Sequence, residues 1–270
     1  MATSSESIWD LRKPLPKAWR VPFALAFPLI LFAAWCALTL GSHPIVNELF
    51  LPSPVSVLKA MMRLFFDGIL QPAVLASFKR IALSFAAAAV VAVPLGVFMG
   101  AYDPVLRFVE PVMAALRYMP ISAFIPLLIL WFGIDESQKI AFLFLGVFVY
   151  LLPVVVTAVR SVPQEYVQTA LTLGATRFQV IRTVLVPGAM PEIFDSFRVM
   201  NAISWTYVIL AELVNAKQGL GYLIQLASAH LKTAEVFAGI IIIGLIGLGT
   251  DALIRLGNRL LFPWKGDDRK

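Results

Sequence analysis

From Val21 to Gly41 the chain carries no charged side chain, and five more stretches of similar apolar character follow. About 20 apolar residues let one helix cross a ~30 Å hydrocarbon layer, and a helix satisfies its own backbone groups there. The candidate spans are 21–41, 77–101, 118–134, 138–160, 192–214 and 234–262, the third being short and carrying Pro120 and Pro126. The expected fold is an all-α membrane protein with six transmembrane helices.

Composition agrees. The 270 residues are 60% hydrophobic and 14% charged, with a mean hydropathy of +0.84. Soluble domains are roughly half apolar and a quarter charged, so this excess needs lipid as solvent. The net charge of +6 belongs to the basic loops of a membrane protein rather than to a nucleic-acid partner, because no basic, aromatic-interleaved soluble stretch is present. Cys36 is the single cysteine, which excludes an intramolecular disulfide; a buried thiol within a span is expected. The run 21–41 follows Arg12, Lys13, Lys17 and Arg20 as in a signal peptide, but it lacks a small-x-small exit and reads as a retained anchor.

Lys and Arg orient the spans. With the N-terminus inside, the inner segments hold 15 of the 22 basic residues and the outer ones 7, which favours both termini in the cytoplasm. Residues 1–20 and 263–270 are then cytoplasmic tails. Residues 42–76 form an external connection whose Val55–Phe66 stretch reads as an amphipathic interfacial helix.

The segment 163–187 departs from the oily pattern. Ser161-x-x-Gln164 and Thr176-x-x-Gln179 have capping-box spacing, Gly174 stands where a helix ends in a left-handed residue, and Pro187 stops the second helix. Val167, Ala170 and Leu171 share one face of the first helix; Phe178, Ile181 and Leu185 share one of the second. Such an elbow could rest on lipid, but its fixed shape suits insertion into a groove on another protein.

At these residues the chain resembles the binding-protein-dependent ABC importer permeases. Their cytoplasmic signature is Glu-Ala-Ala-x-x-x-Gly-Ala with a closing Leu-Pro-x-x-x-Pro. Here Gln168-Thr169-Ala170 stands at its start, Gly174-Ala175 matches its centre, and Val186-Pro187-Gly188-Ala189-Met190-Pro191 closes it. Leu51-Pro52-Ser53-Pro54, Trp131-Phe132-Gly133-Ile134-Asp135, Pro191-Glu192-Ile193-Phe194, and Ala211-Glu212-Leu213 followed by Gly219-Leu220-Gly221 look like the nitrate/sulfonate/taurine branch.

The resemblance implies a type I importer permease fold, with a core over 77–262 and a coupling helix between spans 4 and 5. Its ATPase-coupling residues would be Glu165, Gln168, Thr169, Ala170, Gly174, Ala175, Phe178 and Pro187. It further implies a homodimer, two cytoplasmic ATPase subunits that bind the ATP and magnesium, an extracytoplasmic solute-binding protein, and a place in the bacterial inner membrane. Gln168 and Thr169 depart from the signature by removing a charge and adding a hydroxyl.

Other residues carry narrower readings. Asp251 and Arg255 have pairing spacing; Glu192, Asp195 and Arg198 read as a local ion-pair group or a gate contact. Glu212, with Trp205 below it, falls near the outer end of the fifth span, which the resemblance makes a wall of the translocation path; Arg80 is its possible counterpart, though both could simply be interfacial. Gly96-x-x-x-Gly100 is a ridge for close helix packing, within the chain or between copies. His43 and His230 are isolated, no metal-binding spacing occurs, and no Walker A sequence is present, so an enzyme reading lacks its residues. A secondary transporter driven by an ion gradient is the alternative; it should show an internal repeat, and none is evident.

Overall fold

The computed structural model describes residues 16–41 and 45–264. Most of the 1–20 tail, His43 and residues 265–270 lie outside the described residues. Helices account for nearly all of what is described: α1 (Lys17–Thr39), α2 (Pro54–Phe66), α3 (Leu70–Ala101), α4 (Asp103–Tyr118), α5 (Ile125–Phe132), α6 (Glu136–Arg160), α7 (Gln164–Thr172), α8 (Arg177–Val180), α9 (Val186–Leu213), α10 (Leu220–Ala229) and α11 (Thr233–Leu261).

The centre is the α3–α6 pair. Lipid tails are as apolar as leucine, so helices in lipid associate by close packing rather than by hydrophobic drive. Gly96 and Gly100 permit that approach. A Cβ on Gly96 would come within 2.6 Å of Val155 Cγ1, and one on Gly100 within 2.7 Å of Val159 Cβ. The ridge therefore serves packing within the chain.

Polar contacts fix the directions of the helices. Arg80 meets Glu136 at one end and Gly100 lies against Val159 at the other, so α3 and α6 run parallel. Asp103 bonds Arg160 at 2.9 Å, so α4 starts where α3 and α6 end, and α4 with α5 must carry the chain back. The α9 helix runs the opposite way, from Glu192 beside Ser161 to Glu212 beside Arg80.

The expected third span, 118–134, is not one straight helix. The chain bends by 95° between α4 and the stretch Ile121–Phe132. Pro120 causes the break: the residue before a proline avoids helical geometry, and Met119 is extended at φ −81°, ψ 131°. Among the described residues, four helices are long and apolar enough to cross a membrane (Ala18–Thr39, α3, α6 and α11), five if the bent pair counts as one. The 28-residue α9 is as long as these, but it carries Glu192, Asp195, Arg198 and Glu212.

A polar seam joins α9 to α11. Asp195 accepts from Asn258 (2.6 Å), Arg198 donates to Asp251 (2.7 Å), and Asn201 donates to Thr250 (2.9 Å). Arg255 completes the expected i,i+4 pair with Asp251 at 2.8 Å. The group expected at 192–198 is thus dispersed: each member turns outward to another element. The α2 helix also finds a protein partner. Its buried face, Val57, Ala60 and Leu64, packs toward α11, and Arg63 pairs with Glu235. Cys36 is half-buried rather than enclosed.

Candidate functional site

Two polar constructions stand at opposite ends of the bundle. One is the elbow. The α7 helix starts after Pro163 with no side-chain cap, so the expected Ser161 box does not form. Ser161 is still helical, at φ −74°, ψ −15°, as the C-terminal cap of α6, whereas an N-cap needs extended geometry. Its hydroxyl donates instead to Glu192 at 2.6 Å, tying the root of the elbow to α9.

Gly174 turns the chain at φ +86°, with open space around it, so the constraint there is backbone conformation and not crowding. The second capping box forms in full: Thr176 accepts from the Gln179 amide and Gln179 accepts from that of Thr176. Beyond α8, Ile181–Leu185 is a π turn, in which the Val186 amide reaches back to the Ile181 carbonyl. Pro187 follows directly. It has no N–H for the Thr183 carbonyl, and its ring would press on that group in a regular helix, so the wider turn relieves the clash.

The elbow exposes apolar side chains. No residue of α7 is buried, Leu173 is 83% exposed and Phe178 is 64% exposed. Phe178 therefore points away from Ile181, which is buried with Val180, so the stripe expected on the second helix is split. Glu165, Gln168 and Thr169 are exposed, Ala170 and Ala175 half-buried, and Pro187 exposed. The Thr169 hydroxyl bonds the Glu165 carbonyl at 2.7 Å, so the departure from alanine is satisfied within the helix. A cavity of about 270 Å³ lies beneath, lined by Val167 and Leu171 from α7, Val180, Ile181 and Leu185 from the second arm, and Tyr102 after α3.

The other construction centres on Glu212, which is wholly buried. Its carboxylate accepts from Ser77 Oγ, Arg80 Nη1 and the Gly221 amide, each at 2.7 Å. The Arg80 side chain, 5% exposed, also donates Nη1 to the Gln218 carbonyl at 2.7 Å. Its opposite edge grips Glu136 by two bonds, Nε at 2.6 Å and Nη2 at 2.7 Å. Ser77 accepts from the Leu220 amide at 2.9 Å.

Both flanking glycines follow from this geometry. A Cβ on Gly219, at φ +138°, would collide with the Glu212 carboxyl, and one on Gly221 would come within 3.0 Å of the Ile209 carbonyl. Glu212 and Arg80 are therefore a buried pair and not two interfacial charges. Trp205 is buried too, and its Nε1 lies 3.3 Å from Thr250 Oγ1 in the α9–α11 seam. Nothing in the sequence singles out Glu136 or Ser77, because nothing near them in the chain marks a partner 56 or 135 residues away.

Residues 92–263 match the family described as binding-protein-dependent transport system inner membrane component. The chain belongs to that family. Among its relatives, the taurine transport system permease protein TauC of Escherichia coli is 33% identical over 257 residues, 93% of each chain. The putative aliphatic sulfonates transport permease protein SsuC of Bacillus subtilis is 32% identical, over 97% of this chain and 94% of its own. The nitrate import permease protein NrtB of a Synechocystis strain is 29% identical, over 97% and 98%.

The fold is also that of a chain of the inward-facing MetNI methionine ABC transporter, with a TM-score of 0.59 and 20% identity over 70% of this chain and 95% of that one. The resemblance drawn from the elbow thus holds: this is an ABC importer permease, a multi-pass inner membrane protein of the taurine, sulfonate and nitrate branch.

Proposed function

We propose that this permease imports a small anion of the sulfonate or nitrate kind, delivered by an extracytoplasmic binding protein and driven by ATP hydrolysed on two partner subunits. The observation that supports it most is the elbow, a rigidly shaped surface with exposed apolar side chains at one end of the bundle that no other described residue covers. The elbow end faces the cytoplasm, as do both termini, and the Glu212 end faces outward. Six crossings follow when α9 and the bent α4–α5 pair are counted with the four apolar helices. Two copies of the chain form the path, and ATP and magnesium sit in the partner subunits.

The mechanism is alternating access. Closure of the ATPases moves the docked elbow, through Glu165, Gln168, Thr169, Ala170, Gly174, Ala175 and Phe178, and Pro187 joins that motion to α9. ATP biases the two states only by contacting the elbow differently in each. Co-purification from detergent tests the reading. An ATPase should accompany the permease, and its hydrolysis should rise when loaded binding protein is added to reconstituted vesicles. A permease that purifies with no stoichiometric ATPase would sink it.

A further inference from the structure

The Arg80 guanidinium is held from one side and offered from the other. On its inner side Nη1 is fixed by Glu212 and by the Gln218 carbonyl; on its outer side Nε and Nη2 form a fork closed by Glu136. The two acids differ sharply. Glu212 is wholly enclosed, while the Glu136 side chain is 59% exposed.

That fork opens into a cleft of about 430 Å³ between α3 and α6, within the ~300–1,000 Å³ range of small-molecule sites. Its walls are apolar, from Pro72, Leu75, Leu83 and Ile140, and its polar groups are Arg80, Glu136, Gln218 and the exposed Lys79. A planar fork on an immobilised arginine matches an oxyanion with two coplanar oxygens. Here the arginine is nine-tenths buried and pre-positioned, and its only removable partner is a solvent-facing carboxylate.

We propose that this cleft is a binding site for a small organic oxyanion, a sulfonate in the first instance. Arg80 reads the anion, Lys79 attracts it at the rim, and the Glu136 carboxylate is the resident stand-in that the anion displaces. The exchange conserves charge: one anion leaves the fork as another enters, and the Arg80–Glu212 pair beneath stays intact. The apolar walls then cover the aliphatic part of the solute. This rests on the anion-importer reading and adds to it a place where the permease itself selects for charge.

The test uses the permease with its ATPase subunits in nanodiscs, without binding protein, titrated with ethanesulfonate and with neutral ethanesulfonamide. Glu136→Gln removes the competitor and should tighten ethanesulfonate by about tenfold, the scale of one charge-assisted hydrogen bond. Lys79→Glu should weaken it several-fold, and neither variant should bind the sulfonamide. Arg80→Lys keeps the charge but loses the fork, and should abolish binding while the melting temperature reports whether the fold survives. If that variant unfolds, the two exposed positions carry the test. Equal affinity of Glu136→Gln and wild type, or sulfonamide binding as tight as sulfonate, overturns the proposal. ATP-driven uptake with the binding protein separates the two readings. Sulfonate uptake with an unresponsive cleft sinks the cleft alone, and import of only neutral or cationic solutes sinks the anion-importer reading.

Discussion

At the end proposed to face outward, the outer end, Glu212 is fully enclosed and its two oxygens accept from a serine, an arginine and a backbone amide, whereas at the elbow α7 buries no residue and Leu173 is 83% exposed. Both ends rely on a glycine at positive φ, but for opposite reasons. Gly219 has a carboxylate against the place a side chain would occupy; Gly174 has open space there. The Glu212 end thus closes on its own chain, and the elbow has a fixed shape with a surface that no other described residue covers. In the proposed mechanism that asymmetry supplies a stiff far end against which motion at the elbow is leveraged.

The strongest way to break this contrast is Glu212→Ala. Removing one member of a buried ion pair leaves the other charge uncompensated and costs about 3–5 kcal/mol. The expected outcome is a large fall in folded yield and in detergent melting temperature, with α9, α10 and α3 loosened together. A variant that melts like wild type would show that the node does not hold the outer end.

Gly174→Val should do the reverse. A β-branched residue in the left-handed region costs about 1–3 kcal/mol locally, and no packed neighbour is disturbed. Folded yield should stay near wild type while solute-stimulated ATP hydrolysis falls by about tenfold, because the two arms no longer meet at the docking angle. Stimulation that survives this change would show that the partner does not read the shape of the elbow.

The sequence made the local half of this contrast legible. Gly174, the Thr176–Gln179 box, the Gly96–Gly100 ridge and the Asp251–Arg255 pair all lie within a turn or two of their own signals, and each stands as its spacing predicts. What spans distance was legible only in part. The order of the spans placed Arg80 and Glu212 at the same end and offered them as counterparts across 132 residues, but nothing in the chain named the Glu136 and Ser77 that share their hydrogen bonds. The Ser161 box failed because the preceding helix runs to Arg160 and claims Ser161 as its cap, a competition that spacing alone does not decide. The π turn was hidden for a related reason: Pro187 announces a break, but whether the helix stops or widens depends on α8 and α9 being held in line.

Gln138 is the exception that tests how complete the outer end is. It lies two residues from Glu136 on α6, has no exposed surface, and neither its Nε2 nor its Oε1 has a partner among the described residues. An unsatisfied buried polar group costs about 1–3 kcal/mol, and replacing it with an apolar side chain of similar size removes that cost. Leucine lacks the reach of glutamine, so part of the gain is lost to imperfect packing. The net expectation for Gln138→Leu is a stabilisation of about 1 kcal/mol, seen as a rise of a few degrees in melting temperature, with transport unchanged. A melting temperature that falls instead would mean that the shape leucine cannot reproduce outweighs the unmade hydrogen bonds, so that packing rather than polar satisfaction holds this part of the Glu212 end.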